Sequence, residues 1–271
     1  MSPLTIATFY AFVPLADPAG LVQKLRDLSI DWPVKGTILI AAEGVNGAIA
    51  GPREAVEEAI ATLKTLPPFP TLQPRYTATN HQPFQRLKIK HKAEIVTFGI
   101  PSANPNAAVG TYVPPAAWND LIRRPDVVVV DTRNDYEVEI GTFQGAKNPK
   151  TASFREFPAY VATHLDPQTH PKIALFCTGG IRCEKATSCL VQQGFEEVYH
   201  LEGGILNYLA TIPAPESLWQ GECFVFDERV ALQQGLAPGH YTLCSACGYP
   251  IAQGTEQCPD CHQPQDVCKG S

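Results

Sequence analysis

Three features common in other protein classes are missing from this 271-residue chain. No stretch approaches the ~18 consecutive apolar residues that a membrane-spanning helix needs, so we expect no membrane partner. The first residues, Met1 to Ile6, lack the basic region and apolar core of a secretory signal. There is also no G-x-G-x-x-G fingerprint of a dinucleotide-binding fold. We therefore expect a cytoplasmic protein whose nine cysteines serve as reduced thiols, in catalysis or metal binding, rather than as disulfides.

Acidic residues are absent from residues 59–93, although the chain as a whole carries a net charge of −6. This basic segment contains Lys64, Arg75, Arg86, Lys88, Lys90 and Lys92. From residue 86 to residue 90 the cations alternate with Leu87 and Ile89, which predicts a strand with an apolar face and a charged face. A charged strand face can follow a phosphate backbone, so four of these residues are candidate RNA-binding residues: Arg86, Lys88, Lys90 and Lys92. The alternative is a strand face that only aids solubility.

The most informative motif begins at Cys177, directly after the apolar run Ile173–Phe176. A buried strand, a glycine loop and a helix over 183–193 are predicted, and backbone N–H groups in such a loop form an anion site. The candidate catalytic residues are Cys177, as a nucleophile, and Arg182, as an anion stabiliser. The anion-binding loop between them consists of Thr178, Gly179, Gly180 and Ile181. The C-x4-R spacing is one residue shorter than the C-x5-R loop of cysteine phosphatases, which favours chemistry on a single sulfur over phosphate binding.

Other residues near this loop have predicted supporting roles. Cys183 begins the following helix and could resolve an oxidised Cys177 as a disulfide. Cys189 lies on the inner face of that helix and is predicted to be core. Asp131 is expected to organise neighbouring loops, and Arg133 and Glu137 to form structural ion pairs.

A second cysteine motif occupies the C-terminal part of the chain. Cys244 and Cys247 form one C-x2-C pair, and Cys258 and Cys261 form another ten residues later. Four thiolates at this spacing satisfy a tetrahedral structural zinc site, so we predict zinc there. Neither pair lies in a βαβ context, which disfavours a redox role. The possible substitute ligands are Cys223, His262 and Cys268.

The pattern of apolar residues predicts a mixed α/β and α+β protein of several domains. The first domain, 1–100, has the order βαββαβ of a ferredoxin-like fold. Its predicted elements are strands 5–13, 35–42, 46–50, 72–78 and 86–97 and helices 18–28, capped by Asp17, and 52–65. A tight reversal is predicted at Glu43–Gly47. A linker over 101–112, a parallel α/β domain over 113–216 and a cysteine-rich tail over 217–271 follow.

Four ordered motifs over residues 127–205 resemble the rhodanese domain. Val127–Arg133 is similar to its strand ending in D-x-R, and Glu137 with Gly141–Ala146 to its E…G-H-x-x-G-A, with Thr142 in place of histidine. The Cys177 loop and the closing Val198–Ile205 complete the series. The resemblance implies a parallel sheet with helices on both faces and Cys177 at the carboxyl end of a strand.

Further motifs resemble one family, the rhodanese-domain tRNA uridine(34) hydroxylases. They are Gly36–Gly47, Arg86–Gly99 and Gly221–Val230. The resemblance implies an oxidoreductase that forms 5-hydroxyuridine at the wobble uridine, U34, in the anticodon loop of tRNA. It also implies dioxygen as co-substrate, a reductant that the sequence does not identify, and an essential persulfide-type cysteine at the position of Cys177.

Two other functions are consistent with the same residues. A sulfurtransferase would carry sulfane sulfur from thiosulfate or a persulfide donor on Cys177, but it needs neither the basic segment nor a zinc site. A non-catalytic RNA-binding protein would not need the reactive cysteine. Trp32 and Trp118 are predicted packing residues, and the sequence singles out no aromatic residue for stacking on a base and no oligomeric state.

Overall fold

The computed structural model describes residues 3–265, which divide into two compact units with the boundary after Thr97. The residues 266–271, including the possible ligand Cys268, lie outside the described part of the chain. Within residues 3–265, no helix has both the length and the apolar character required to cross a membrane.

The first unit has the predicted βαββαβ order with one further strand. Its elements are β1 (Leu4–Phe12), α1 (Pro18–Leu28), β2 (Lys35–Ala41), β3 (Gly44–Gly51), α2 (Arg53–Thr65), β4 (Arg75–Thr79) and β5 (Leu87–His91). The sheet order is β4-β1-β3-β2-β5, in which β5 alone pairs parallel to its neighbour, β2. The first four strands therefore form the ferredoxin-like sheet, and β5 is added at one edge.

Local sequence signals explain both helices of this unit. The Asp17 side chain accepts a hydrogen bond from the backbone N–H of Gly20 (2.8 Å), which caps α1 as predicted. On α2, Val56, Ile60 and Leu63 are buried and recur at helical spacing. Both helices contribute to one apolar core with the sheet.

Two sequence predictions about this unit are wrong in detail. The reversal falls at Ala42 and Glu43, and Gly44 already belongs to β3. Gly44 has φ +142° and a Cβ there would lie 1.9 Å from the carbonyl oxygen of Ala11, so the glycine permits close strand pairing rather than the turn. The predicted strand 86–97 ends at His91, because its partner β2 ends at Ala41 and leaves no ladder beyond it.

The second unit is built around a parallel sheet. Its first elements are β6 (Thr111–Val113), α3 (Pro115–Ile122), β7 (Val128–Asp131), α4 (Asp135–Glu139), β8 (Gly141–Phe143), α5 (Phe157–His164), β9 (Lys172–Phe176), α6 (Ile181–Gln192), β10 (Glu197–Leu201) and α7 (Gly204–Thr211). The order is β6-β10-β9-β7, with every pair parallel. Side chains of α3 and α7 share a core with one face of this sheet, and α6 packs against β9 and β10.

The remaining strands are short antiparallel pairs. They are β11 (Trp219–Gly221), β12 (Cys223–Phe224), β13 (Ala231–Leu232), β14 (Tyr241–Leu243) and β15 (Pro250–Ala252). Strand β11 pairs with β8, and Cys223 is buried in the core under the parallel sheet. Trp219 and Cys223, which the sequence analysis assigns to the tail, pack with the core of the parallel sheet.

Candidate active site and cysteine cluster

The loop after β9 encloses the sulfur of Cys177. The β9 residues Ile173–Phe176 are buried, because elements pack on both faces of the parallel sheet, and Cys177 follows at the carboxyl end of β9 with only 1% of its surface exposed. The backbone N–H of Gly180 donates a hydrogen bond to the Cys177 sulfur (3.1 Å). Gly180 has φ +100°, which glycine adopts readily and which turns the loop into the first residue of α6, Ile181.

This environment favours the thiolate of Cys177. Burial alone would raise the pKa of the thiol. A hydrogen bond from the Cys183 side chain, the positive charge of Arg182 and backbone N–H groups outweigh it and lower the pKa to about 6. The same contact, together with burial, raises the pKa of Cys183. The pair therefore divides into a thiolate, Cys177, and a protonated donor, Cys183.

Arg182 is fixed by a buried carboxylate. Its two terminal nitrogens donate to the two carboxylate oxygens of Glu137 at 2.6 and 2.8 Å, and one of them also donates to the Thr178 hydroxyl (3.2 Å). The Thr178 hydroxyl in turn donates to Glu137 (3.4 Å). Burial would raise the pKa of Glu137, but the charge of Arg182 lowers it. The Arg182 guanidinium is thus held in one position by Glu137, which lies 45 residues earlier in the chain.

The first turn of α7 packs against the loop that follows β9. The N–H groups of Ile205 and Leu206, at the start of α7, donate to the carbonyl oxygens of Cys177 (2.9 Å) and Thr178 (3.1 Å). Gly204 has φ +69°, and a Cβ there would lie 2.5 Å from the Cys177 carbonyl oxygen. By contrast, a Cβ at Gly179 would meet nothing within 4 Å. The two glycines mark the closed side and the open side of the loop.

The strand β7 ends in a separate buried ion pair. Arg133 donates from Nη2 to the carboxylate of Asp131 (2.7 Å), and both side chains are fully buried. The hydroxyl of Thr142, where the rhodanese pattern has histidine, also donates to Asp131 (2.9 Å). Arg133 and Glu137 therefore belong to two different ion pairs: Arg133 pairs with Asp131, and Glu137 pairs with Arg182.

The four predicted metal ligands come together. The sulfurs of Cys244, Cys247, Cys258 and Cys261 all lie within 4.8 Å of one another, and two of the pairs are 3.7 Å apart. A tetrahedral zinc with Zn–S bonds of about 2.3 Å requires sulfurs about 3.8 Å apart, so the donor set fits this metal. The possible substitutes Cys223 and His262 are not part of the cluster.

The cluster is formed by two equivalent turns. The N–H of Gly248 donates to the carbonyl of Cys244 (2.9 Å), and the N–H of His262 donates to the carbonyl of Cys258 (3.0 Å). Both donors have a left-handed backbone, with φ +79° and +58°. The Tyr249 hydroxyl donates to Glu139 on α4, which joins the cluster to the rhodanese-like core.

The basic residues belong to the first unit. Lys88 and Lys90 are exposed on β5 while Ile89 between them is buried, as the alternation predicts. Arg26, at the end of α1, donates to the Ile89 carbonyl (2.8 Å). A surface groove of about 440 Å³ is lined by Arg26, Ser29, Arg86, Leu87, Lys88, Ile89 and Lys90; Lys92 is exposed just beyond β5.

The E-G-V-N-G motif has a role that sequence reasoning missed. Glu43 accepts a hydrogen bond from the N–H of Ile95 (2.7 Å), and the Asn46 amide donates to the carbonyl of the same residue (3.0 Å). These two polar side chains hold the segment after β5 beside the sheet. The signal available in the sequence was a pair of polar residues, Glu43 and Asn46, at the start of an otherwise apolar strand.

The fold and the cysteine loop together define a rhodanese-like protein with an additional N-terminal domain. Residues 115–211 match the rhodanese-like domain, and residues 4–95 match the UPF0176 acylphosphatase like domain. Acylphosphatase-like and ferredoxin-like describe the same βαββαβ arrangement, so the predicted fold class is confirmed.

Curated relatives extend this match over nearly the whole chain. Proteins named tRNA uridine(34) hydroxylase are 56% identical in Picosynechococcus sp. (93% of this chain, 84% of the relative) and 52% identical in Teredinibacter turnerae (98% and 85%). The protein of that name in Synechocystis sp. is also 52% identical (94% and 95%). The chain belongs to the tRNA uridine(34) hydroxylase family, and it is an enzyme.

Proposed function

We propose that this protein hydroxylates C5 of the wobble uridine, U34, in tRNA, with dioxygen as co-substrate and Cys177 as the catalytic residue. The observation that carries the proposal is the match, over 93–98% of the chain, to relatives named for this uridine position. The low pKa of Cys177 supports it, because a thiolate is the reactive form in either sulfur chemistry considered below.

The first route uses Cys177 as a nucleophile on the base. Addition of the thiolate to C6 of uracil makes C5 electron-rich, so C5 can attack dioxygen. One oxygen atom stays on C5 and the other leaves as water, which requires two electrons from a reductant. When the proton on C5 and the thiolate leave, the pyrimidine double bond is restored.

The second route uses a persulfide on Cys177. The outer sulfur, delivered by a persulfide or thiosulfate donor, would occupy the open side of the loop near Gly179 and reduce dioxygen by two electrons. One oxygen atom would go to C5 as the hydroxyl, and the other would remain on the outer sulfur, which is oxidised from the persulfide to its S-oxide. Arg182 and the loop N–H groups would stabilise the negative charge in either route. A covalent RNA adduct trapped on Cys177 would favour the first route over the second.

We also propose that the exposed cations Arg86, Lys88, Lys90 and Lys92 bind the tRNA backbone. The groove beside β5 presents Arg86, Lys88 and Lys90, and Lys92 is exposed just beyond the strand. Phosphate contacts of this type provide affinity without sequence specificity. A tRNA substrate implies a cytoplasmic location.

The four-cysteine cluster is proposed to hold a structural zinc ion. All four ligands are thiolates, so the tetrahedral shell is complete and keeps no open position for a substrate. The zinc would stabilise residues 241–265 and take no part in the reaction.

Nucleoside mass spectrometry of tRNA from cells that lack the protein tests the proposal. We expect 5-hydroxyuridine and its derivatives to disappear, to return with the wild type, and to stay absent with Cys177→Ala. Cys189→Ala is the matched control, because that cysteine is buried in α6 away from the loop. Unchanged nucleosides in the deletion strain, with no redundant pathway, would instead favour sulfur transfer through Cys177.

A further inference from the structure

Phe226 is an exposed aromatic residue beside buried ones. It keeps 65% of its surface exposed, whereas Phe224 and Val225 before it are buried. Single exposed apolar residues are common in proteins and need no explanation by themselves. Two further observations distinguish Phe226: the rigidity of its loop and its position.

The loop that carries Phe226 is internally braced. It connects β12 to β13 and is closed by a hydrogen bond from the N–H of Val225 to the carbonyl of Val230 (2.9 Å). Within it, the Asp227 carboxylate accepts from the backbone N–H of Arg229 (3.1 Å) and pairs with its guanidinium (2.7 Å). The ring of Phe226 also meets that of Phe224 edge to face, with centroids 5.2 Å apart. Phe226 is therefore held in place without being buried.

Phe226 lies at the cysteine loop. The guanidinium carbon of Arg182 is 5.8 Å from the centroid of its ring, a cation–π contact. Arg182 is also the residue whose backbone N–H and charge stabilise the Cys177 thiolate. An exposed aromatic face and the reactive sulfur are thus connected through one residue.

The sulfur itself is nearly inaccessible, and this limits how a nucleotide can reach it. With 1% of Cys177 exposed, a uracil that stays stacked in an RNA loop cannot place C5 or C6 at the thiolate. Enzymes that modify a base move it out of the stack, and the lost stacking is commonly replaced by an aromatic side chain.

We propose that Phe226 is the stacking platform for the base of the target uridine beside Cys177. The inference rests on the proposed function, because it requires an RNA substrate. Phe226 binds and positions the base and takes no part in bond making. The loss of its ring weakens recognition of the base, while the Cys177 loop and the phosphate contacts of the RNA remain.

Base-dependent binding tests this directly and needs no catalytic turnover. The probes are two synthetic anticodon stem-loops that differ only at position 34, one with uridine and one abasic. We expect the wild type to bind the uridine stem-loop about ten- to hundred-fold more tightly, the range found for one stacked base. Phe226→Ala and Phe226→Leu should lose this preference, whereas Phe226→Trp should keep it.

Two controls separate stacking from a structural role. Val191→Ala removes an exposed apolar side chain from the far end of α6 and should leave the preference unchanged. The pH midpoint of Cys177 alkylation by iodoacetamide should stay near 6 in Phe226→Leu, because Glu137 still holds the Arg182 guanidinium through two hydrogen bonds.

Several results would overturn the inference. A wild type that binds both stem-loops equally, or a Phe226→Leu variant that keeps the preference, would leave Phe226 without a stacking role. This failure is distinguishable from failure of the proposed function, which is decided by the tRNA nucleosides of the Cys177→Ala strain. A light-induced cross-link from 5-iodouridine at position 34 should map to Phe226 and would contradict the inference if it mapped only elsewhere.

Discussion

The two cysteine sites of the second unit use the same side chain in opposite ways. At Cys177 a single sulfur is surrounded by donors: the N–H of Gly180, the Cys183 thiol and the charge of Arg182. At the four-cysteine cluster the sulfurs surround each other, 3.7 Å apart in the closest pairs. The first site stabilises its thiolate with protein groups alone, whereas the second is a set of four sulfur donors that could hold a metal ion.

This difference follows from what can stabilise a negative sulfur. Backbone dipoles and one guanidinium can hold one thiolate and leave it reactive. Four thiolates at van der Waals distance repel each other, and a bound divalent metal neutralises that charge and removes their reactivity. The number of sulfurs thus separates a site for chemistry from a site for stability.

Cys258→Ala should have the largest effect and act on one site alone. Cys258 is the fully buried member of the cluster, and its loss leaves three ligands for a tetrahedral ion. Because zinc binding supplies the folding free energy of such small modules, we expect loss of the metal and unfolding of residues 241–265. Elemental analysis for zinc and limited proteolysis measure this.

The matched control for that experiment is Cys177→Ala, which should keep full zinc content. Conversely, Cys258→Ala should leave the pH midpoint of Cys177 alkylation near 6. Loss of zinc from Cys177→Ala, or a changed alkylation midpoint of Cys177 in Cys258→Ala, would mean that the two sites are not independent.

Glu137→Gln should have the next largest effect, on the Cys177 side of the comparison. It leaves the buried Arg182 guanidinium without its carboxylate, which costs about 3–5 kcal/mol in the free energy of unfolding. Urea denaturation followed by tryptophan fluorescence measures the loss. Glu57→Gln breaks the exposed pair with Arg53 on α2 and should cost less than about 1 kcal/mol. Equal losses would show that the buried pair does not stabilise the loop.

Much of this comparison was predictable from local sequence. An apolar strand followed by a glycine loop predicted the loop that encloses the Cys177 sulfur, and C-x2-C spacing predicted that four cysteines come together. Both features are formed by residues close together in the chain. The order of strands and helices in the first domain followed from apolar periodicity in the same way.

Contacts between distant residues were not predictable. The partner of Arg182 lies 45 residues away, and Gln220 on β11 pairs with Thr142 on β8, far earlier in the chain. In the sequence Phe226 is the last residue of the apolar run Cys223–Phe226, and nothing in that run distinguishes it from its buried neighbours Phe224 and Val225. The alternation of side chains along one strand does not indicate with which other strand that strand pairs.

Two alanine substitutions of glycines sharpen the comparison further. In Gly204→Ala the new Cβ meets the carbonyl oxygens of Cys177 and Thr178 at 2.5 and 2.6 Å, on a left-handed backbone. We expect a loss of about 1–3 kcal/mol and slower alkylation of Cys177 at pH 7, since the loop must shift. Gly179→Ala is the control, because its Cβ enters open space and its φ is not in the left-handed range. The melting temperature and the rate of Cys177 alkylation are measured for each variant. Equal changes in the two variants would show that Gly204 is no more tightly packed against the loop than Gly179.

The last prediction concerns the donor thiol, Cys183, and an effect on reactivity rather than on the free energy of unfolding. The pKa of Cys177 lies near 6, so its alkylation rate should fall as the pH falls through 6, when the thiolate takes up a proton. Cys183→Ala removes a hydrogen bond to the charged sulfur, worth about 1.5–3 kcal/mol, and should raise the midpoint by about one to two pH units. Cys183→Ser keeps a donor at the same place and should keep most of the lowering of the Cys177 pKa.

The measurement is the pH profile of iodoacetamide labelling at the Cys177 peptide, by mass spectrometry. An unchanged midpoint in Cys183→Ala would assign the low pKa to Arg182 and the backbone alone, and the Cys177 site would then depend on no second sulfur at all.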